Sequence, residues 1–115
     1  MQTGRITKVK FADSKLFEVY QSLRTGSFEE KELAENLERA FFALKDNPFA
    51  GIKIPKQLWP KAYRRYFLKI LLKYDLPNAW RLVYTIEGDK LEISAVILEW
   101  FSHKDYEKRF GYKNK

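Results

Sequence analysis

The side chains best suited to chemistry sit late in the chain. Arg81 lies inside Trp80-Arg81-Leu82-Val83-Tyr84, and Ser102-His103-Lys104-Asp105-Tyr106 follows the last long apolar run. A guanidinium can grip a phosphate or carboxylate with two parallel hydrogen bonds, whereas an ammonium acts as a point charge. Imidazole is the side-chain type that titrates near neutrality, and His103 is the single histidine. Together they offer cations to hold an anion and one group to move a proton. Each also has an ordinary reading. Arg81 can pair with Asp75 or Glu92 across a sheet, and a histidine at a strand end can be a local cap.

The elements that must position them are legible from pattern. Apolar runs at Leu71–Leu76, Ala79–Ile86 and Leu91–Leu98 are separated by turn residues at Pro77-Asn78 and Glu87-Gly88-Asp89-Lys90. This predicts an antiparallel three-strand meander, with Arg81, Val83 and Thr85 on one face of the middle strand and Trp80, Leu82 and Tyr84 on the other. Upstream, Arg5–Phe11 alternates as a half-buried strand. Asp13 or Ser14 can cap a helix over Lys15–Arg24. Ser27-Phe28-Glu29-Glu30 has capping-box spacing and opens a helix with Leu33, Leu37, Phe41 and Leu44 on one stripe, ending near Asp46-Asn47-Pro48. Pro48–Lys56 reads as a loop, and Lys61–Phe67 as a short helix or turn. The expected fold is α+β: a helical hairpin packed on a mostly antiparallel four-stranded sheet, in the order β-α-α-β-β-β with a short C-terminal helix. The first strand is expected to pair parallel to the last, which gives its backbone groups partners.

Composition narrows the function classes. The 115 residues suit one domain, taken as 1–115. There is no cysteine and one histidine, so neither a disulfide framework nor a typical zinc site is expected, and no cofactor. No apolar run approaches the roughly 20 residues of a membrane span, and Met1-Gln2-Thr3-Gly4-Arg5 lacks the apolar core of a secretory signal. The expectation is a cytoplasmic protein without a membrane partner. The net charge of +7 is uneven: Ser27–Asp46 holds six acids and three bases, while Lys53–Arg81 holds eight bases and one acid, Asp75. Such a footprint suits a polyanion. Tyr63-Arg64-Arg65-Tyr66 adds two guanidinium groups that either touch a nucleic-acid backbone or form a solvated basic turn beside a buried tyrosine.

The helical hairpin, the Trp80-Arg81-Leu82-Val83-Tyr84 strand and the Ser102–Tyr106 cluster together resemble the RelE/ParE superfamily of toxin–antitoxin toxins. The element order covers nearly the whole chain, the specific motifs about a third. The resemblance implies a basic toxin neutralised by a cognate antitoxin. RelE-like members cut messenger RNA in the ribosomal A site without metal; ParE-like members poison DNA gyrase. On the RNA-cleaving side, Arg81 matches the strand arginine that binds phosphate, and Lys73 one of two preceding lysines. Asp75 stands where the second would be, a departure from the pattern. Lys104 matches the basic residue after the last strand, and Tyr106 or Phe110 the C-terminal aromatic that stacks on a base. Metal-free cleavage needs a base for the 2′-OH, cations for the phosphorane and an acid for the leaving oxygen. Arg81 and Lys104 are assigned to the transition state, Lys73 to assist, and His103 to proton transfer. Phe110 would leave no phenol there, whereas Tyr106 would. A gyrase inhibitor, or a non-catalytic homologue that binds nucleic acid or a partner, are the alternatives.

Overall fold

In the computed structural model, which describes residues 5–111, the turn chemistry closes where the sequence places it. The leader reading of Met1–Arg5 therefore lies, Arg5 apart, outside the described residues. Strand β1 spans Ile6–Phe11, helix α1 Ser14–Leu23 and helix α2 Phe28–Asp46. The Asp13 carboxylate accepts the Leu16 N–H at 2.8 Å. At α2 the reciprocal box forms, with Glu30 N–H donating to Ser27 Oγ at 3.1 Å and Ser27 N–H donating to Glu30 Oε1 at 2.9 Å. A cap of this kind contributes about 1 kcal/mol. From α2, Leu37, Ala40 and Leu44 are buried, with Leu33 and Phe41 packed beside them.

Strands β3 (Leu72–Asp75), β4 (Arg81–Gly88) and β5 (Glu92–Phe101) form the meander, and β1 lies parallel to β5. The expectation of four strands is corrected to five. Ile52–Lys53, β2, adds a two-residue edge antiparallel to β3, giving the order β1-β5-β4-β3-β2. Two residues are too few to show a period. What holds this edge is long-range: the buried Tyr84 hydroxyl donates to Pro48 O at 2.7 Å and accepts Gly51 N–H at 2.9 Å. A Cβ on Gly51 would lie 2.6 Å from Lys73 O and 2.7 Å from Tyr84 Oη, so the close approach requires glycine.

The sheet is covered on both faces. Leu82, Tyr84, Ala95 and Ile97 pack under α1 and α2. On the other face Val83, Leu98 and Phe101 pack with Tyr63 from the 3₁₀ segment Lys61–Tyr66, and with Tyr106 and Phe110 of helix α3, His103–Phe110. Between Val83–Glu99 and Tyr84–Ile97 the register shifts, a bulge at Leu98. Among the described residues no helix is long and apolar enough to cross a membrane.

Candidate functional site

The β3–β4 register assembles the site. Asp75 pairs with Arg81 and Lys73 with Val83. Since alternate residues share a face, Lys73, Asp75 and Arg81 stand together on the side that carries α3. Asp75 Oδ1 lies 2.9 Å from Lys73 Nζ and 3.2 Å from Arg81 Nε. The two cationic side chains are only 18% and 19% exposed, whereas the carboxylate they share is 55% exposed. Both cations are thus drawn into the protein while their counter-charge faces water.

Arg81 is held from three directions. Its Nη1 donates to Ala79 O at 2.7 Å, and its Cζ lies 5.5 Å from the centre of the Tyr106 ring, within cation–π range. The Ala79 carbonyl is presented by the Pro77–Ala79 turn, where Asn78 and Ala79 both adopt φ 63°, the left-handed region. Asn tolerates that region; for Ala it costs roughly 1–2 kcal/mol. The Arg81 Nε is buried and its approach to Asp75 is an ion pair without hydrogen-bond geometry. That edge of the guanidinium is therefore enclosed against Asp75, and an incoming oxygen would have to meet the cation elsewhere or displace the carboxylate.

The remaining candidates divide. Tyr106 and Phe110 are each 2% exposed, and their rings stack on one another at 4.5 Å. The expectation that either stacks on a base is corrected: α3 buries its apolar side against Phe101 and Tyr63, and Tyr106 serves as the platform under Arg81. Its enclosure also withdraws its phenol from proton exchange with a bound strand. His103 Nε2 lies 3.0 Å from Glu107 Oε2, one helical turn along α3, both about half exposed. Lys104 is exposed in the first turn of α3, three residues beyond Phe101, the β5 partner of Arg81. Arg64 and Arg65 are exposed on the Lys61–Tyr66 segment, and Arg65 donates to Tyr66 Oη at 2.7 Å with its guanidinium over that ring. They are separate from the Lys73–Arg81 pair in the hydrogen-bond network.

Sequence reasoning missed a second charged hub on the same face. The buried Tyr63 hydroxyl donates to Glu99 Oε1 at 2.6 Å, and Arg109 reaches both Glu99 oxygens at 3.1 and 3.4 Å. Burial first, and the Glu99 hydrogen bond second, push the Tyr63 phenol far above its ordinary pKa. This bridge ties the basic segment to β5 and α3. The signal available for it was Glu99, an acid set between the apolar run Ala95–Leu98 and Trp100-Phe101. Among the described residues no group of three or more His, Cys, Asp or Glu side chains is placed to hold a metal ion.

What fold and site define is a class: a small basic α+β domain with a paired cation on one face of its sheet. Compared with known proteins, the chain matches no family model, no curated sequence and no solved structure.

Proposed function

We propose that the chain is a toxin of the RelE/ParE kind that cleaves messenger RNA on the ribosome. The observation that carries this reading is the Lys73–Arg81 pair, two cations of low exposure converging on one open carboxylate. A phosphodiester has the charge and oxygen spacing to replace or join Asp75 there. The excess of bases from Lys53 to Arg81 supports a polyanionic ligand.

In the proposed reaction the 2′-oxygen attacks the adjacent phosphorus as its proton leaves to a base. The bond from phosphorus to the 5′-oxygen then breaks, that oxygen takes up a proton, and a 2′,3′-cyclic phosphate remains. Arg81 and Lys73 hold the non-bridging oxygens as negative charge builds on them. Lys104 approaches the phosphate from the start of α3. His103, oriented by Glu107, moves the protons. Tyr106 is a positioning residue, since it touches Arg81 and not the strand. The resemblance implies a cognate antitoxin as the protein partner, and a cytoplasmic site of action follows from the substrate. A second reading, a homologue that binds nucleic acid or a partner without cutting, is favoured by Asp75, which neutralises half of the paired charge.

The test is induced expression in a bacterium of the wild type beside Arg81→Ala, scoring growth and mapping messenger RNA 5′ ends. Growth arrest with new in-frame 5′ ends, both lost in the variant, is expected. Arrest with intact messages and damaged DNA would replace cleavage by gyrase poisoning. Accumulation of the protein without arrest would favour the binding-only reading.

A further inference from the structure

The most conspicuous side chain that this reading leaves unused is Phe67. It ends the Lys61–Tyr66 segment at φ 51°, ψ 51°, and the residue is 88% exposed. Glycine would adopt that backbone without steric cost, and a ring left in water returns no burial in exchange. Its surroundings are one-signed along the chain. From Lys53 to Lys73 there are seven bases and no acid, with Arg64, Arg65 and Lys69 nearest in sequence.

In space, Tyr66, Phe67, Leu68 and Lys69 form one wall of an open cleft of about 380 Å³, and Thr85, Ile86, Glu87 and Gly88 form the other. Glu87 is the one carboxylate among these lining residues. It can accept from the amino edge of a base, while Lys69 on the opposite wall can hold a phosphate. The Thr85 hydroxyl is already committed, donating to Ile70 O at 2.6 Å.

We infer that Phe67 is a stacking platform for one unpaired base of a single-stranded RNA whose phosphates run over Arg64, Arg65 and Lys69. This rests on the nucleic-acid reading above and adds a contact remote from its cation pair. The cleft adjoins the Thr85–Gly88 end of β4, whose other end is Arg81. At about 3.3 Å per strand residue the separation along β4 is roughly 13–23 Å. A single strand of a few nucleotides covers that distance. A base stacked on Phe67 would therefore fix which phosphate reaches Lys73 and Arg81.

The experiment measures binding of a fluorescent, non-cleavable 2′-O-methyl single strand of about ten nucleotides, intact or with abasic positions, to wild type, Phe67→Gly and Phe67→Trp. Stacking on an aromatic ring corresponds to a loss of roughly 5- to 150-fold in affinity when the ring is removed. The Gly variant is expected to lose that much on the intact strand and much less on the strand abasic at the stacked position, with Trp near wild type. Its melting temperature should stay level or rise, because glycine relieves the left-handed backbone. Unchanged affinity in the Gly variant would overturn the inference, transfer the ring to a protein partner, and leave the cleavage reading standing. A lower melting temperature accompanying the loss would make the ring structural and also overturn it. Absence of binding by wild type, together with intact messages in the expression test, would remove both readings.

Discussion

Asp75→Asn separates two roles for the carboxylate that Lys73 and Arg81 share. If a phosphate occupies the same cations, it meets Asp75 as a like charge. With contacts near 3 Å on each side of a shared cation, the two negative centres stand about 6 Å apart. Coulomb's law then gives a repulsion of about 0.7 kcal/mol at the dielectric of water and about 2.8 kcal/mol at an effective value of 20. The carboxylate is more than half exposed, so the result belongs between these limits, roughly 3- to 100-fold in affinity. Asn keeps the shape and removes the charge. The variant should therefore bind the non-cleavable single strand more tightly, with a gain that shrinks as salt is added. The cost to the fold should be modest, since the Asp75 side chain is itself more than half exposed and an Asn amide oxygen can still accept from Lys73 Nζ. Fluorescence anisotropy over a salt series, beside a thermal melt, measures both effects. Weaker binding by Asp75→Asn at unchanged stability would refute the reasoning, and would make Asp75 the residue that aims the cations at their ligand.

Two further outcomes follow from the packing. Phe110→Ala empties a buried site between Tyr106, Tyr63 and Phe101 and should cost about 3–5 kcal/mol in denaturant unfolding; lost toxicity without lost stability would return Phe110 to the substrate. Tyr84→Phe leaves Gly51 N–H and Pro48 O without their partner and should cost about 1–3 kcal/mol at neutral pH. Burial pushes the Tyr84 phenol up to about 12, so its contribution is complete below pH 10 and lost as pH rises from 10 towards 12. Alkaline titration of stability should therefore fall less steeply for the Phe variant across that window, and equal slopes would contradict the assignment.

Local signals carried the helices and the meander. The Asp13 cap and the Ser27–Glu30 box are contacts between residues three apart, so spacing reveals them. The alternation around Arg81 put it on the face opposite Leu82 and Tyr84, and its pairing with Asp75 was one of the two ordinary partners open to it. Glu92, the other, is taken by Lys8 at 3.0 Å. The failures are non-local. Strand β2 exists because Tyr84, more than thirty residues later, pins Pro48 and Gly51. Phe110 and Tyr106 looked available for stacking because a short, polar-rich terminal helix gives little hint of what covers it. Their burial depends on Tyr63 and Phe101 arriving from two other segments. Phe67 carried no signal, since a left-handed phenylalanine is indistinguishable in sequence from a core residue.

The parallel pairing of β1 with β5 has a consequence for the order in which the molecule can be made. Ile6 is hydrogen-bonded to Leu91, and Phe11 is in register with Ile97, so β1 must wait until β5, some eighty residues later in the chain, has been synthesised. Until then β1 and the inner edge of the meander are open, and closing so long a loop is entropically slow. Lys73, Asp75 and Arg81 can meet once the β3–β4 hairpin forms, but the Tyr106 ring beneath Arg81 arrives only with α3. A nascent chain on the ribosome would thus carry its cations before it could hold Arg81 in place, and the complete site would form only once α3 has been synthesised.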